Sequence, residues 1–303
     1  MAVAKRLRVY LEPGMRAAAK AGTHNFLRLV QEAVEDRGFQ VEFRPATERE
    51  RLKSAARKGY ALFHMEPPFH GRALTFRRVY HYPFWQIERS EKRWEWTVAQ
   101  TPFNPAEIDP VQAKSFADRW RKTLFATQAA PLSGGFVYVP LQGRLLDHRS
   151  FQSFRPIDMI EMVLQQDPAR PVVAALHPRE IYTSEEIAAL ERLAAAHPRL
   201  TITTGEMDRL LPACDYIVTE NSSVAFLGYY LHKPAILCAR IDFHHIALDA
   251  ARDPRGAFAR VLSHSPDYDR YLFWFLQDMS INAGRPEARE KILATLRARG
   301  WDI

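Results

Sequence analysis

Residues 171–240 constrain the fold of this chain more than any other stretch. Four short apolar runs of strand length alternate there with segments whose apolar residues recur at the helical period. The runs are residues 172–176, 200–203, 216–218 and 235–237. This alternation is typical of consecutive βα units, whose strands lie side by side in a parallel sheet. The second half of the chain is therefore predicted to be an α/β domain.

Polar clusters follow two of these predicted strands. The clusters are His177, Pro178, Arg179 and Glu180 after the first strand, and Thr219, Glu220, Asn221, Ser222 and Ser223 after the third. Because the loops at the carboxyl ends of parallel strands lie side by side, both clusters are expected to line one crevice. We place the ligand of this domain in that crevice.

The N-terminal half contains a second set of βα units. Strands are predicted at 7–11, 40–43 and 60–64, and an amphipathic helix starts at Phe26 and stops at Gly38. This half is therefore predicted to be an α/β domain too.

The periodicity breaks at residues 66–105, which we call the aromatic arm. This segment is rich in Pro, Arg and large aromatic residues, among them Trp85 and Trp94. It is predicted to be either a specialised arm or a pair of antiparallel strands. Its composition suits an acceptor saccharide, since sugar rings stack on aromatic side chains, but also single-stranded nucleic acid. A dimer interface or a core lid is an equally open reading.

The break at 131–135 is the best candidate for a domain boundary, because Pro and Gly cluster there after a predicted helix at 110–125. The domains are therefore predicted as residues 1–130, which include the aromatic arm, and 131–303. Further helices are predicted near 246–262, 268–278 and 286–299.

Composition places the chain among globular proteins with a sizeable core, since 47% of its 303 residues are apolar. The start has no apolar run of signal-peptide length, so we expect a cytoplasmic protein, with a peripheral position at the inner membrane face left open. The formal charge of +7 suits an anionic substrate, an anionic membrane surface or nucleic acid.

Each polar cluster has a plain structural explanation when taken alone. Asn221 or Ser222 would cap the helix that follows, and His177 would be an ordinary loop residue. Together, however, a strand-terminal His-Pro and a later Ser-Ser resemble the nucleotide-binding half of bacterial GT-B glycosyltransferases that use CMP-activated acidic sugars. The sequences FVYVPLQ at 136–142 and NSSVAFLGYYLHKPAIL at 221–237 also resemble capsule polysaccharide biosynthesis proteins, which include Kdo transferases. This resemblance covers about 136–240.

The resemblance implies a GT-B-like fold, with two Rossmann-like domains facing across a cleft and the last helix packing back on the N-terminal domain. It implies that His177 and Pro178 meet the cytidine nucleotide and that the Ser-Ser pair meets its phosphate. Asp147 would be a catalytic carboxylate near the anomeric carbon, although it also suits a turn. Glu220 would bind the ribose hydroxyls.

The N-terminal half supplies the remaining candidates. Glu66 is predicted as a second catalytic carboxylate, because glycosyl transfer needs a group that takes the acceptor's proton. His24, His64, Trp85 and Trp94 are predicted to bind the acceptor. Structural roles for His64 and Glu66 are left open.

No metal site and no cofactor are assigned. Asp267 and Asp269 look like a metal-binding DxD motif, but a helix cap explains them more simply. Asp242, His244 and His245 include two adjacent histidines, whose side chains would diverge in an extended segment.

The sequence therefore predicts a metal-independent glycosyltransferase of surface polysaccharide synthesis. Its donor would be a nucleotide sugar, with a CMP-linked acidic sugar such as Kdo or sialic acid favoured over a UDP-sugar. Its acceptor would be a glycan or glycolipid. The alternative is a non-catalytic protein of the same fold that binds polysaccharide or nucleic acid, and nucleic acid is the disfavoured partner.

Overall fold

The computed structural model describes residues 5–125 and 134–303 of the chain. The chain divides into two compact α/β units. The first unit comprises Met1–Thr101 and Phe275–Ile303, and the second comprises Pro102–Trp274.

The elements of both units are numbered here in chain order. The strands are β1 (Arg6–Leu11), β2 (Gln40–Pro45), β3 (Tyr60–His64), β4 (Ala73–Arg78), β5 (Phe84–Glu88), β6 (Val137–Pro140), β7 (Val172–Leu176), β8 (Leu200–Thr204), β9 (Tyr216–Thr219), β10 (Ala235–Leu237), β11 (Leu248–Asp249) and β12 (Ile281–Asn282). The helices are α1 (Pro13–Lys20), α2 (Asn25–Glu35), α3 (Glu48–Ser54), α4 (Thr97–Gln100), α5 (Pro110–Leu124), α6 (Pro156–Gln166), α7 (Ser184–Ala196), α8 (Met207–Ala213), α9 (Ser223–Tyr229), α10 (Pro254–Arg260), α11 (Tyr268–Phe273) and α12 (Ala288–Ala298).

The first unit is built on a six-stranded sheet in the order β12-β5-β4-β3-β1-β2. Strands β2, β1, β3 and β4 are parallel, whereas β5 and β12 run antiparallel to their neighbours. The order β2-β1-β3-β4 is that of flavodoxin-like sheets. In such a sheet β2 lies on one side of β1, and the chain then crosses over to place β3 and β4 on the other side. The switch point of this sheet therefore lies between the ends of β1 and β3.

Helix α2 covers one face of this sheet because its apolar residues form a single stripe. Phe26, Val30 and Val34 are almost fully buried on it. Helix α12 packs against α2 and adds Ile292 and Leu296 to the same core. The last helix is thus part of the first unit.

The second unit is built on a six-stranded parallel sheet in the order β11-β10-β9-β6-β7-β8. Counted along the chain within the unit, this is the Rossmann strand order, with the switch point between β6 and β9. Strands β6, β9 and β10 are fully buried, and side chains of the sheet form one core with α6, α7 and α10. The prediction of consecutive βα units at 171–240 is confirmed, since all four strands form where the pattern indicates.

The aromatic arm forms part of the first sheet. Its segments Ala73–Arg78 and Phe84–Glu88 pair in antiparallel fashion, as one of the two predictions stated. Trp85 and Phe76 are buried because they lie on the face of the sheet that α2 covers.

The division between the units differs from the predicted one. The predicted boundary at 131 lies outside the described residues. Helix α5 belongs to the second unit because it packs on α11, where the rings of Phe116 and Phe273 are 5.6 Å apart. Residues 275–303 belong to the first unit.

The helix predicted near 246–262 is wrong over its first half. This stretch instead contains the short strand β11 and then α10. Pro254 explains the break, because proline fits the first turn of a helix but not its interior, and the Asp253 carboxylate caps the new start by accepting from the Gly256 N–H at 2.8 Å.

No helix within residues 5–125 and 134–303 is long and apolar enough to cross a membrane.

Candidate functional site

The switch point of the second unit brings the predicted donor residues to one edge of its sheet. Strands β9 and β6 are neighbours there, and the Thr219 hydroxyl donates to the Pro140 carbonyl at 3.1 Å. His177 follows β7, on the other side of β6. Two strand spacings, about 10 Å, therefore separate the ends that carry His177 and Glu220.

Glu220 is the most unusual residue at this edge, because its carboxyl group is buried and incompletely paired. Its residue is 3% exposed, and its Oε2 accepts from the Gln152 side chain. The Arg149 guanidinium lies 3.5 Å from the same oxygen. Within the described part of the chain, Oε1 has no hydrogen-bond partner. A buried polar atom without a partner is costly, so a donor that reaches Oε1 would stabilise this site.

Burial raises the pKa of the Glu220 carboxyl to about 8, and Arg149 opposes this rise only in part. Desolvation dominates because the charged form loses its water without gaining a full set of donors. A ligand that donates hydroxyl hydrogens to this carboxyl would favour its ionised form.

Arg149 and Gln152 reach Glu220 because their segment is anchored to the strand end beyond it. Gln152 forms an isolated antiparallel bridge with Ala239, and the Ser153 N–H donates to the Cys238 carbonyl at 2.9 Å. The Arg149 guanidinium also lies 4.8 Å from the centre of the Phe151 ring.

Two further buried polar atoms at this edge have no hydrogen-bond partner among the described residues. They are Nε of Arg149 and Oε1 of Gln142, which follows the neighbouring strand β6. Sequence reasoning missed Arg149, Gln152 and Gln142. Their polar character in a loop after a strand is a weak signal, and only the pairing of distant segments brings Arg149 and Gln152 to Glu220.

His177 is positioned to donate a hydrogen bond. Its Nδ1 accepts from the Arg179 N–H at 3.2 Å, so the neutral ring carries its proton on Nε2. Its backbone N–H donates to the Tyr182 hydroxyl at 2.8 Å, which fixes the turn. Pro178 is exposed beside it. The half-buried ring therefore offers Nε2–H to an acceptor such as a phosphate oxygen.

The Ser-Ser pair divides into a cap and an exposed hydroxyl. Ser222 is buried, and its Oγ accepts from the Val224 N–H at 3.3 Å. It therefore caps α9, which is one of the two roles predicted for it from the sequence. Ser223 is exposed in the first turn, and Asn221 is half-buried before the cap. The capping bond uses a lone pair of Ser222, which leaves its hydroxyl hydrogen for a ligand.

Asp147 lies in an exposed turn at the same edge. Its side chain is 61% exposed, and its carboxylate lies 3.9 Å from Arg144. Arg144 has a left-handed φ of 65°, which few residues other than glycine adopt. Gly143 in this loop packs against Glu180, since a Cβ there would lie 2.6 Å from Oε2 of that residue. The loop after β6 is thus fitted against the loop that carries His177.

The first unit gathers titratable side chains at its own switch point. Glu12 follows β1, His64 ends β3, and His24 caps the nearby start of α2. Burial lowers the pKa of His64, with Glu12 opposing this shift and Arg77 and His24 adding to it. Burial also lowers the pKa of His24. Both rings are therefore neutral near pH 7.

The two histidines differ in what they can offer a ligand. His24 Nδ1 accepts from the Leu27 N–H at 3.3 Å, so its Nε2 carries the proton and is a donor. Nδ1 of His64 is buried and has no partner among the described residues. Glu12 was not among the predicted site residues, although its place directly after β1 was a usable signal.

The other candidates of this unit are placed differently. The ring of Trp85 stacks on Phe26 with a centroid distance of 4.5 Å in the core, so it is not a platform for a saccharide. Glu66 is ion-paired with Arg51. Trp94 is half-buried, and its carbonyl accepts from Gln100 Nε2 at 2.7 Å. Of the two tryptophans, Trp94 is the more exposed residue.

The two motifs that suggested metal ligands have structural partners. Asp267 caps α11 and pairs with Arg270 at 3.0 Å, and Asp269 pairs with Arg121 at 3.2 Å. His244 and His245 stack on each other with ring centres 4.3 Å apart. Over residues 5–125 and 134–303, no group of three His, Cys, Asp or Glu side chains is arranged to hold a metal ion.

No model of a known protein family matches this chain, and no curated protein matches it.

Solved structures do resemble it. The chain is similar to a β-Kdo 2,7-transferase, KpsC of Thermosulfurimonas dismutans, with a TM-score of 0.59 and 12% identity over 97% of this chain and 99% of that one. A β-Kdo 2,4-transferase, KpsC of the same organism, has a TM-score of 0.49 and 12% identity over 88% and 89% of the two chains. A UDP-GlcNAc 2-epimerase of Methanocaldococcus jannaschii has a TM-score of 0.40 and 9% identity over 97% and 99%. The first likeness shows a shared fold: the chain has the GT-B-like architecture of two Rossmann-like units.

Proposed function

We propose that this protein is a glycosyltransferase that binds a nucleotide sugar at the switch point of its second unit. The observation that carries the proposal is the buried carboxyl of Glu220, with its unpartnered Oε1 and the adjacent Arg149 guanidinium. Ligands of open α/β sheets bind at such switch points. A ribose diol would supply hydroxyl donors to Glu220.

The phosphate of the donor meets His177 and the Ser-Ser pair in this proposal. The Nε2–H of His177 and the hydroxyls of Ser222 and Ser223 are donors that need no metal ion. Donors fixed before the reaction stabilise the charge that develops on the departing phosphate. A CMP-linked acidic sugar such as Kdo or sialic acid is the proposed donor, because the His-Pro and Ser-Ser motifs resemble those of CMP-sugar enzymes.

Asp147 is the proposed catalytic carboxylate at the anomeric carbon. It lies in the loop after β6, between the strand ends that carry His177 and Glu220. Its exposed side chain is free of the buried network that fixes Glu220, so it can approach a bound sugar.

The acceptor is proposed to bind at the switch point of the first unit. A glycan or glycolipid hydroxyl would accept a hydrogen bond from His24 Nε2–H, and neutral His64 would face it. Glu12 is better placed than Glu66 to take the acceptor's proton, because the Glu66 carboxylate is ion-paired with Arg51. The ring of Trp94 is the remaining aromatic surface of the predicted acceptor set.

A transfer assay tests this function. CMP-Kdo, CMP-sialic acid and UDP-sugars are offered with glycan and glycolipid acceptors, with and without EDTA, and products are detected by mass spectrometry. We expect transfer from a CMP-sugar that EDTA does not change. Asp147→Asn should lower kcat at least about 100-fold, as loss of a catalytic acid or base does. Asp158→Asn is the matched control, since it too changes a surface aspartate paired with an arginine.

Two results would decide against parts of this proposal. Full turnover by Asp147→Asn would remove that residue from the chemistry. Transfer from UDP-sugars alone would replace the donor class and leave the transferase assignment in place.

A further inference from the structure

The two faces of the sheet in the first unit are covered by different kinds of segment. Alternate residues of β3 point to opposite faces, and Tyr60 and Leu62 join the large core under α2 and α12. Ala61 and Phe63 point the other way, to a buried cluster of four residues. The connection from β3 to the parallel strand β4 spans residues 65–72 and has no helix in that described stretch. Parallel strands are usually joined by a helix, so here an irregular segment takes the place of the helix that would follow β3.

Helix α3 and segment 65–72 lie over the Phe63 end of this face, and they are tied together. Arg51 on the helix pairs with Glu66 on the segment, and Ser54 Oγ lies 3.0 Å from His70 Nε2. The ring of Phe69 stacks on Phe63 at 5.7 Å. We call the outer surface of α3 and 65–72 the α3 face.

This fixed surface exposes large apolar side chains. Leu52 is 59% exposed, Met65 is 47% exposed and Phe69 is 45% exposed. They are three of the seven large apolar side chains that are exposed among the described residues. Met65 also has a left-handed φ of 58°, a conformation that costs energy outside glycine and persists where the surroundings impose it. Large apolar side chains exposed on two segments that are tied together suit an interaction surface.

The charge around the α3 face is positive. Residues 47–72 contain six Lys and Arg against three Asp and Glu. The first unit as a whole contains 24 Lys and Arg against 15 Asp and Glu, a formal charge of +9, whereas the second unit has 18 against 20, a charge of −2. The basic character of the protein therefore belongs entirely to the unit that carries this face.

Apolar side chains interleaved with cations match one partner well. An anionic bilayer takes up Leu, Met and Phe at the boundary of headgroups and acyl chains, and its headgroups attract Lys and Arg. Arg49, Lys53 and Lys58 are exposed beside the apolar residues. A second copy of the same face would bring like charges together, which opposes self-association.

We propose that the α3 face is a peripheral docking surface for an anionic lipid bilayer. The proposal deepens the acceptor half of the proposed function and rests on it for its biological purpose. Segment 65–72 begins directly after His64, so the docking surface adjoins the residues assigned to the acceptor. An acceptor held in the membrane by a lipid would then be presented to that site.

Sedimentation with lipid vesicles tests this docking without any transfer reaction. The purified chain is mixed with vesicles of phosphatidylcholine alone, or with an equal share of phosphatidylglycerol. We expect binding to the anionic vesicles that weakens as salt screens the charges. The combined change Leu52→Gln, Met65→Gln and Phe69→Gln should weaken it at least about tenfold, because the apolar insertion is lost.

The control replaces two apolar side chains of equal or greater exposure on the other unit. Val111 is 77% exposed and Ile181 is 93% exposed, so Val111→Gln with Ile181→Gln should bind vesicles as the unchanged protein does. Phe69 contacts Phe63, so the unfolding midpoint of each variant is measured as well. Leu52→Gln alone changes one exposed helix side chain and should still weaken binding measurably.

Four results would overturn the docking proposal. Two concern vesicles: equal binding by the triple variant and the control, and no preference for anionic vesicles. The others are a concentration-dependent dimer in light scattering that only the triple variant loses, and tighter binding to an oligonucleotide than to anionic vesicles. Nucleotide binding at Glu220 should persist in the triple variant, so failure of docking is distinguishable from failure of the proposed function.

Discussion

At the scale of single residues, the candidate donor site depends on Glu220. Its carboxyl group is buried at the end of β9 and receives donors from Gln152 and Arg149 on one oxygen only. In the unfolded chain this carboxyl is ionised above its ordinary pKa near 4.5, whereas in the folded protein its pKa is raised to about 8. The folded state therefore binds one more proton than the unfolded state between these two pH values.

This linkage predicts a stability difference that depends on pH. Folding stability falls with rising pH wherever the folded state binds more protons, by up to about 1.4 kcal/mol per unit for one group. We therefore expect Glu220→Gln to gain stability over the unchanged protein as pH rises from 5 to about 8, with no further gain above. Urea unfolding of both ligand-free proteins across this range measures it. A difference that stays constant with pH would contradict the burial of an uncharged Glu220.

Residues were predicted well where their chemistry follows from local sequence. Ser222 and His177 could be placed from their positions after apolar runs, and the capping role of Ser222 was one of the two stated readings. Arg149 and Gln152 could not be found in this way, because a bridge between Gln152 and Ala239 brings them to Glu220. Trp85 was misplaced because an aromatic-rich composition does not tell a core stack from an exposed platform.

At the scale of elements, strands were predicted more reliably than the segments between them. The apolar runs at 60–64, 172–176 and 235–237 match β3, β7 and β10 because buried parallel strands need continuous apolar sequence. The helix predicted at 246–262 was wrong over its first half, because apolar residues at helical spacing also occur in a segment that forms a short strand before Pro254. Helix α5 belongs to the second unit and α12 to the first because of packing between distant segments. The hydrophobic period of a sequence cannot predict such packing.

The last helix of the first unit is held by a buried ion pair. Arg299, directly after α12, donates twice to the Glu88 carboxylate at 2.8 Å, and both side chains are largely buried. Removing one partner leaves the other without its counter-charge, so Arg299→Leu should lower the free energy of unfolding by about 3 kcal/mol.

Denaturant unfolding measures this loss against a matched variant. Arg289→Leu removes an arginine of the same helix that is half exposed and lies 3.4 Å from Asp36. Surface pairs contribute little, so this change should cost less than about 1 kcal/mol. Equal losses in the two variants would show that the Glu88 pair does not anchor the helix.

At the scale of the whole molecule, each unit carries its polar candidates at the switch point of its own sheet. In the second unit these are His177, Glu220 and the Ser-Ser pair, and in the first they are Glu12, His24 and His64. The charge is divided as well, with +9 on the first unit and −2 on the second. The net positive charge therefore lies on the unit proposed to bind the acceptor and the membrane, and not on the unit proposed to bind the nucleotide.

The central claim is that the second unit binds a nucleotide at its switch point. Isothermal calorimetry with CMP, and with UDP for comparison, measures this directly in the unchanged protein, in His177→Ala and in Arg149→Met. His197→Ala is the control, because His197 lies before β8 at the opposite edge of the same sheet. We predict CMP binding that either site variant weakens about tenfold or more, as loss of a charge-assisted hydrogen bond does, and that the control leaves unchanged. No binding of either nucleotide, or equal binding by all variants, would contradict the account.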